Sequence, residues 1–224
     1  MRYFAGFVLS ILLLLPSPAK SQDTTSFVTL YAHATLPLGA FGDDTGSRAG
    51  LAKKGYGGGI EFSIPSGFNF MHYLLSAHIF VNGYDDSKLN SMVGRIFPGF
   101  NLKFEAGNWI NIPMMAGLQI DSELSSAYRL IASGKIGLNI VKAPSFEMTI
   151  EGVSTEYTFK TSTAFGFAFS GGIVINDWFT IGLTYLGSDE PEFNGELKVL
   201  GQTEKLNPFS QSISLVLLSA GLIL

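Results

Sequence analysis

Eight strand-like segments, joined by gaps that are alternately long and short, constrain this chain more than any other feature. They run over Phe27–Leu38, Gly55–Ile64, Asn69–Gly83, Asn108–Ile120, Tyr128–Lys142, Thr161–Ile175, Trp178–Leu186 and Ser210–Leu224. The odd-numbered gaps are long and polar. The even-numbered ones are short: Pro65-Ser66-Gly67, Asp121–Ala127 and Asn176-Asp177. A chain that runs up and down through a barrier, trim on one side and elaborated on the other, has this rhythm. The expected fold is therefore all-β: a transmembrane antiparallel up-and-down barrel of 8 strands. A 10-strand alternative arises because Ser91–Glu105 and Phe146–Phe159 also carry apolar, strand-like patterns.

Alternation within the segments says which way each side chain points. Successive residues of a strand face opposite sides of the sheet. From Thr163 to Ile175, one face reads Thr, Phe, Phe, Phe, Gly, Ile, Ile, and the other reads Ala, Gly, Ala, Ser, Gly, Val. Phe179, Ile181, Leu183 and Tyr185 likewise oppose Thr180, Gly182 and Thr184. Val28, Leu30, Ala32, Ala34 and Leu36 oppose Thr29, Tyr31, His33 and Thr35. The large apolar face fits lipid, and the face of small and polar residues fits the inside of a narrow barrel. The last segment is apolar on both faces beyond Leu215, so its register stays open.

Charge placement separates this reading from a soluble barrel. Charged residues make up only 14% of the chain, against about 25% in soluble domains. Only Glu61, Arg129, Lys135 and Lys142 fall inside the eight segments. A soluble barrel must hydrate its outer face with charge, and these strands have none to spare. Aromatic residues gather at segment ends: Trp178 and Tyr128 by the short turns, Trp109 and Tyr185 by the long loops. Two such bands match the girdles at the two membrane interfaces.

The N-terminus sets the compartment. Arg2, the apolar run Phe4–Leu15, Pro16, Pro18 and the Ala19-Lys20-Ser21 site read as a secretory signal peptide, residues 1–21, cut before Gln22. Its apolar run is shorter than the ~20 residues a helix needs to span a bilayer. Residues 22–224 then form one barrel domain. The chain has no Cys, so disulfides and thiolate metal sites are excluded, and its net charge of −4 with no basic stripe argues against nucleic acid.

Chemistry-bearing residues are few. Glu61, Arg129 and Lys135 fall on the lumen face with Gln119, Asn111 and Asn139. Buried charges persist when paired and hydrogen-bonded, so Glu61 is expected to pair with Arg129 or Lys135 as part of a polar plug. An anion-preferring channel is the functional alternative. His33 and His78 also fall on the lumen side. Lumen histidines bonded to hydroxyl neighbours are the favoured reading over a metal or acid–base site. The acidic pairs Asp43-Asp44, Asp85-Asp86 and Asp189-Glu190 are read as solvated loops ahead of divalent-cation sites. Gly57-Gly58-Gly59 lacks the pattern of a phosphate loop and is expected to allow a tight bend. No catalytic residue, cofactor or metal is expected.

Three stretches resemble small outer-membrane β-barrel domain proteins of the OmpA/OmpX-like, Gram-negative type. They are Leu36-Pro37-Leu38-Gly39-Ala40-Phe41-Gly42-Asp43, Trp109-Ile110-Asn111-Ile112-Pro113, and the Gly-rich Phe165–Gly172 followed by Leu183-x-Tyr185. The resemblance spans the mature chain. It implies an eight-stranded barrel in the cell outer membrane, without a periplasmic peptidoglycan-binding domain. Its implied partners are outer-membrane lipid and lipopolysaccharide, with the barrel-assembly machinery during folding, and a monomer is expected. The expected role is non-enzymatic: membrane-structural, or surface interaction through the long loops. Alternatives are a narrow porin for small solutes and a lipid-modifying barrel enzyme.

Overall fold

The computed structural model describes residues 26–44, 49–68, 70–96, 102–150, 152–199 and 202–224. The expected signal peptide and its cleavage site lie outside these residues. In chain order the strands are β1 (Phe27–Pro37), β2 (Ala52–Pro65), β3 (Met71–Tyr84), β4 (Leu102–Ala106), β5 (Trp109–Ser125), β6 (Tyr128–Lys142), β7 (Phe146–Ile150) and β8 (Val153–Phe159). They continue with β9 (Ser162–Ile175), β10 (Phe179–Ser188), β11 (Glu192–Phe193), β12 (Gly195–Val199), β13 (Gln202–Lys205), β14 (Phe209–Ser210) and β15 (Ile213–Ile223). Among the described residues one α-helix, α1, covers Asp86–Ile96.

Eight of these strands close into an antiparallel barrel in the order β1-β15-β10-β9-β6-β5-β3-β2. Closure follows from the pairing of β1 with β15, which runs from Thr29 opposite Ile223 to Pro37 opposite Leu215. No edge is left unpaired, as a sheet bathed in hydrocarbon requires. The tight turn at Asn176-Asp177 has both residues at positive φ, 49° and 61°. These are the signs of a type I′ turn, whose twist matches that of the flanking strands. Asn and Asp tolerate that conformation better than other non-glycine residues.

The outer wall is apolar. Leu30, Phe62, Leu75, Met114, Leu118, Ile136, Leu138, Phe165, Phe169, Leu183 and Leu218 all stand exposed on it. A belt this large is a membrane surface and not a soluble one, so the barrel is transmembrane. The register of β15 is now set: Ile213, Leu215, Leu217 and Ser219 point inward, while Leu218 and Leu222 point out.

The ten-strand alternative is overturned in an informative way. β4 and β7 do pair, from Leu102 opposite Ile150 to Ala106 opposite Phe146. They do so in a separate five-stranded sheet, β13-β12-β8-β7-β4, at the long-loop end. β5 already pairs with β6 along its whole length, so the ring has no vacant edge to admit them. The front of the expected ninth strand is α1, with Asp86 in its first turn and Arg95 in its last, the charge order a helix dipole favours. The side-chain amide of Asn90 on α1 closes the outer edge of β4. It donates to the Phe104 carbonyl at 2.8 Å and accepts from the Phe104 N–H at 2.7 Å.

Two faces differ sharply in this outer sheet. On one, Glu105, Glu147, Glu156 and Lys198 stand side by side in register. On the other, Phe104, Phe146, Met148, Tyr157 and Phe159 are half-buried. From that face a ladder of rings descends to the barrel mouth: Tyr84–Phe146 at 4.9 Å, Phe146–Phe159 at 5.9 Å, Phe159–Phe209 at 5.0 Å and Phe209–Phe193 at 5.1 Å.

Candidate functional site

The inside of the barrel is stacked in layers, each set by the alternation of the strands that supply it. At the long-loop end the interior is dry. Phe41, Trp109, Val141, Phe193, Ile213 and Leu215 are all buried there and form one apolar cluster that continues inward through Phe80, Met115, Leu186 and Leu217. Phe41 comes from the loop after β1, and Phe193 from β11. Trp109 packs edge-on between them, with centroids 5.3 and 5.7 Å away. Its indole N–H donates to the Gly50 carbonyl at 3.0 Å, which ties the first loop across the mouth.

Trp109 is therefore not part of an outer girdle. It is 2% exposed and faces inward, because Asn111 and Pro113 of the same alternation do. Trp178, Tyr128 and Tyr185 are exposed on the outer wall, with Tyr56, Phe68, Phe70 and Tyr73.

Amides line the wall beside these apolar side chains, Asn82 opposite Trp109 and Asn111 opposite Val141 in register. Asn82 donates to the Thr35 hydroxyl at 2.7 Å and to the Lys53 carbonyl at 2.9 Å. Asn139 donates to Asn111 at 3.3 Å. Below them, around a cavity of about 50 Å³, sit His33, His78, Glu61, Lys135, Gln119 and several hydroxyls. Lys135 donates to Glu61 Oε2 at 2.5 Å, and both side chains are below 10% exposed. Tyr31 donates to the other Glu61 oxygen at 3.5 Å. His33 bonds Ser219 through Nδ1 at 2.8 Å and His78 through Nε2 at 3.0 Å.

Arg129 takes a different partner from the one the sequence suggests. It lies nearer the short turns, where it donates to Asp121 at 2.5 Å and Asp177 at 3.0 Å. Asp121 is the residue that reading the sequence misses. Its neighbours Ser122 and Glu123 look like loop, yet β5 runs on to Ser125. The signal was the unbroken alternation from Asn111 through Gln119 to position 121.

The interior charges thus form two ion pairs, each joining a carboxylate to a cation, stacked along the axis: Glu61–Lys135 in the middle and Asp121–Arg129 below. Buried ions need such compensation, since removing a charge from water costs several kcal/mol unless it is offset.

Glycines make room for these groups. A Cβ on Gly59 would lie 2.0 Å from His78 Nδ1, and one on Gly57 would lie 2.5 Å from Phe80 Cδ1. Both residues sit in an unbroken register from Gly55 to Pro65. The glycine run therefore admits two rings close to the wall and leaves the strand's register unbroken.

Two of the three acidic loop pairs find local cations. Asp85 and Asp86 face Lys53 at 3.4 and 3.9 Å. Asp44 meets Lys88, whose hydrogen bond and charge hold its carboxyl below the usual range. Among the described residues, no group of three or more His, Cys, Asp or Glu is placed to hold a metal ion.

No family model matches the sequence, and no curated protein matches it. Solved structures do match. A major outer membrane protein from Thermus thermophilus superposes with a TM-score of 0.52 at 8% identity, covering 89% of this chain and 100% of that one. Neisserial surface protein A matches with a TM-score of 0.48 at 13% identity, covering 89% and 96%. Ail, the attachment invasion locus protein of Yersinia pestis, matches with 0.44 at 13% identity, covering 89% and 97%. A closed eight-stranded antiparallel ring, an apolar outer wall and the Thermus likeness lead to one conclusion: the chain has the fold of the outer-membrane β-barrels.

Proposed function

We propose that this protein is a closed, non-conducting barrel of the outer membrane that works through its surface. The five-stranded sheet and α1 form the part presented outside. The observation that carries this reading is the lid: a continuous apolar cluster fills the long-loop mouth above an interior whose charges are already paired. A solute path needs wetted, polar walls along its whole length, and the layer of Phe41, Trp109 and Phe193 offers none.

Two observations favour a non-enzymatic role. A lipid-modifying site needs its nucleophile and base on the lipid-facing wall. His33, His72 and His78 all point inward and are largely buried. The sheet outside the membrane also has a charged face and an apolar face, a surface suited to protein or glycan contact and not to turnover.

Reconstitution in planar bilayers tests the reading. The wild-type protein should give no resolved current steps. Phe41→Ser with Phe193→Ser, which wets the mouth, should raise ion leak. Stable unit steps from wild type would replace this reading with the narrow-porin one.

A further inference from the structure

We propose that the amides of Asn82, Asn111 and Asn139 bind one structural water, which completes a belt of hydrogen bonds across five strands of the barrel. Register lays the belt out. Gly55 of β2 stands opposite both Thr35 of β1 and Asn82 of β3. It has no side chain, so the Asn82 amide reaches over it. That amide donates to the Thr35 hydroxyl at 2.7 Å and to the Lys53 carbonyl of β2 at 2.9 Å. Further round the ring, Asn139 of β6 donates to Asn111 of β5 at 3.3 Å.

One link is missing, between Asn82 and Asn111. Asn82 lies opposite Trp109, and Asn111 lies opposite Phe80. The two asparagines are therefore diagonal neighbours on the inner face of adjacent strands. Such neighbours stand about 7–8 Å apart at the backbone. Two hydrogen bonds through a water span roughly 5–6 Å between the outer atoms, which suits amides leaning toward each other across that distance.

Valence decides what fills the link. All three asparagines are 0% exposed, and a buried polar atom without a partner is costly. Among the described residues, Asn82 Oδ1, Asn111 Nδ2 and Asn139 Oδ1 have no hydrogen-bond partner. That is one donor group and two acceptors. A water is their complement, accepting once and donating twice, and buried waters typically make about three such bonds. Asn82 is held in its orientation by its two donations. Turning both amides of the Asn111–Asn139 pair over exchanges their roles and again leaves one donor and two acceptors. A cation is a poor occupant, because one of the three groups offers it an N–H in either orientation. With the water in place the belt runs unbroken from β1 through β2, β3 and β5 to β6, which are consecutive in the ring. It clasps this half of the barrel beside Trp109, whether the protein acts through its surface or as a pore.

Water-to-amide cross-relaxation in 15N-labelled protein, folded in detergent micelles, reads the site directly. The side-chain amide of Asn111 should show cross-peaks to water of opposite sign in NOE and ROE spectra, the mark of a long-lived bound molecule. A folded barrel with no such cross-peak at Asn111 overturns the proposal. Urea unfolding in the same micelles gives a second reading. Asn82→Ala and Asn111→Ala remove groups that share no direct bond, yet the water couples them. The double variant should keep at least about twofold more of the folding constant than the product of the two single losses. Losses that simply multiply overturn the bridge. Coupling without the water cross-peak also overturns it, and leaves a direct bond between the two amides in its place.

Discussion

Glu61 and Lys135 come from strands on separate sides of the ring, yet their charged ends lie 2.5 Å apart. In so narrow a barrel long side chains reach across the interior. Removing one partner strands the other in a site closed to solvent, which typically costs about 3–5 kcal/mol. Glu61→Ala and Lys135→Ala should each lower unfolding stability in detergent by that order. Glu61→Ala with Lys135→Ala should cost less than the two single losses summed, since the pair couples directly. Additive losses would show that the two groups are solvated independently. The contact between Arg129 and Asp177 of a short turn is a different case: Asp177 is 69% exposed, so water screens it and Asp177→Ala should cost less.

At the scale of elements, the outer sheet poses a problem that the barrel does not. A ring has no edge, whereas a five-stranded sheet has two. β13 is short, polar and exposed throughout, features that discourage further pairing. β4 is closed instead by the Asn90 amide, which satisfies both main-chain groups of Phe104. Each such bond contributes on the order of 1 kcal/mol net. Asn90→Ala should therefore speed hydrogen exchange of the Phe104 amide by about tenfold, given ~1.4 kcal/mol per decade, while the barrel amides stay protected. Unchanged exchange at Phe104 would mean that α1 holds the edge by packing alone.

For the whole molecule, the asymmetry between the two ends makes a topological prediction. The short turns at Ser66–Phe68, Ser126-Ala127 and Asn176-Asp177 share one end, and the outer sheet with α1 shares the other. If the sheet is the surface that meets partners, it must lie outside the cell. A cysteine placed at Asp86 should react with an impermeant maleimide on intact cells, and one placed at Ser66 should react only after lysis. The chain has no native Cys to confuse the result. Inverted labelling would turn the molecule over and remove the surface-interaction reading.

The barrel itself could be read from local pattern. Period-two alternation from His33 to Leu218 dictates which side chains meet lipid, because a strand has only two faces and hydrocarbon tolerates only one kind of residue. The short turns follow from Asn176-Asp177 and its like, where backbone preference is a property of the residues themselves. What stayed out of reach depends on contacts between residues far apart in the chain. Apolar pattern shows that Leu102–Ala106 and Phe146–Ile150 want partners, but not that the ring is already full. Tryptophan at a strand end suits a membrane girdle and a lid equally well, and only the arrival of Phe41 and Phe193 beside Trp109 decides between them. Glu61 needed a cation within reach. Lys135 became that partner and Arg129 turned to Asp121 because strand stagger, which no single segment encodes, sets the height of each side chain along the barrel axis.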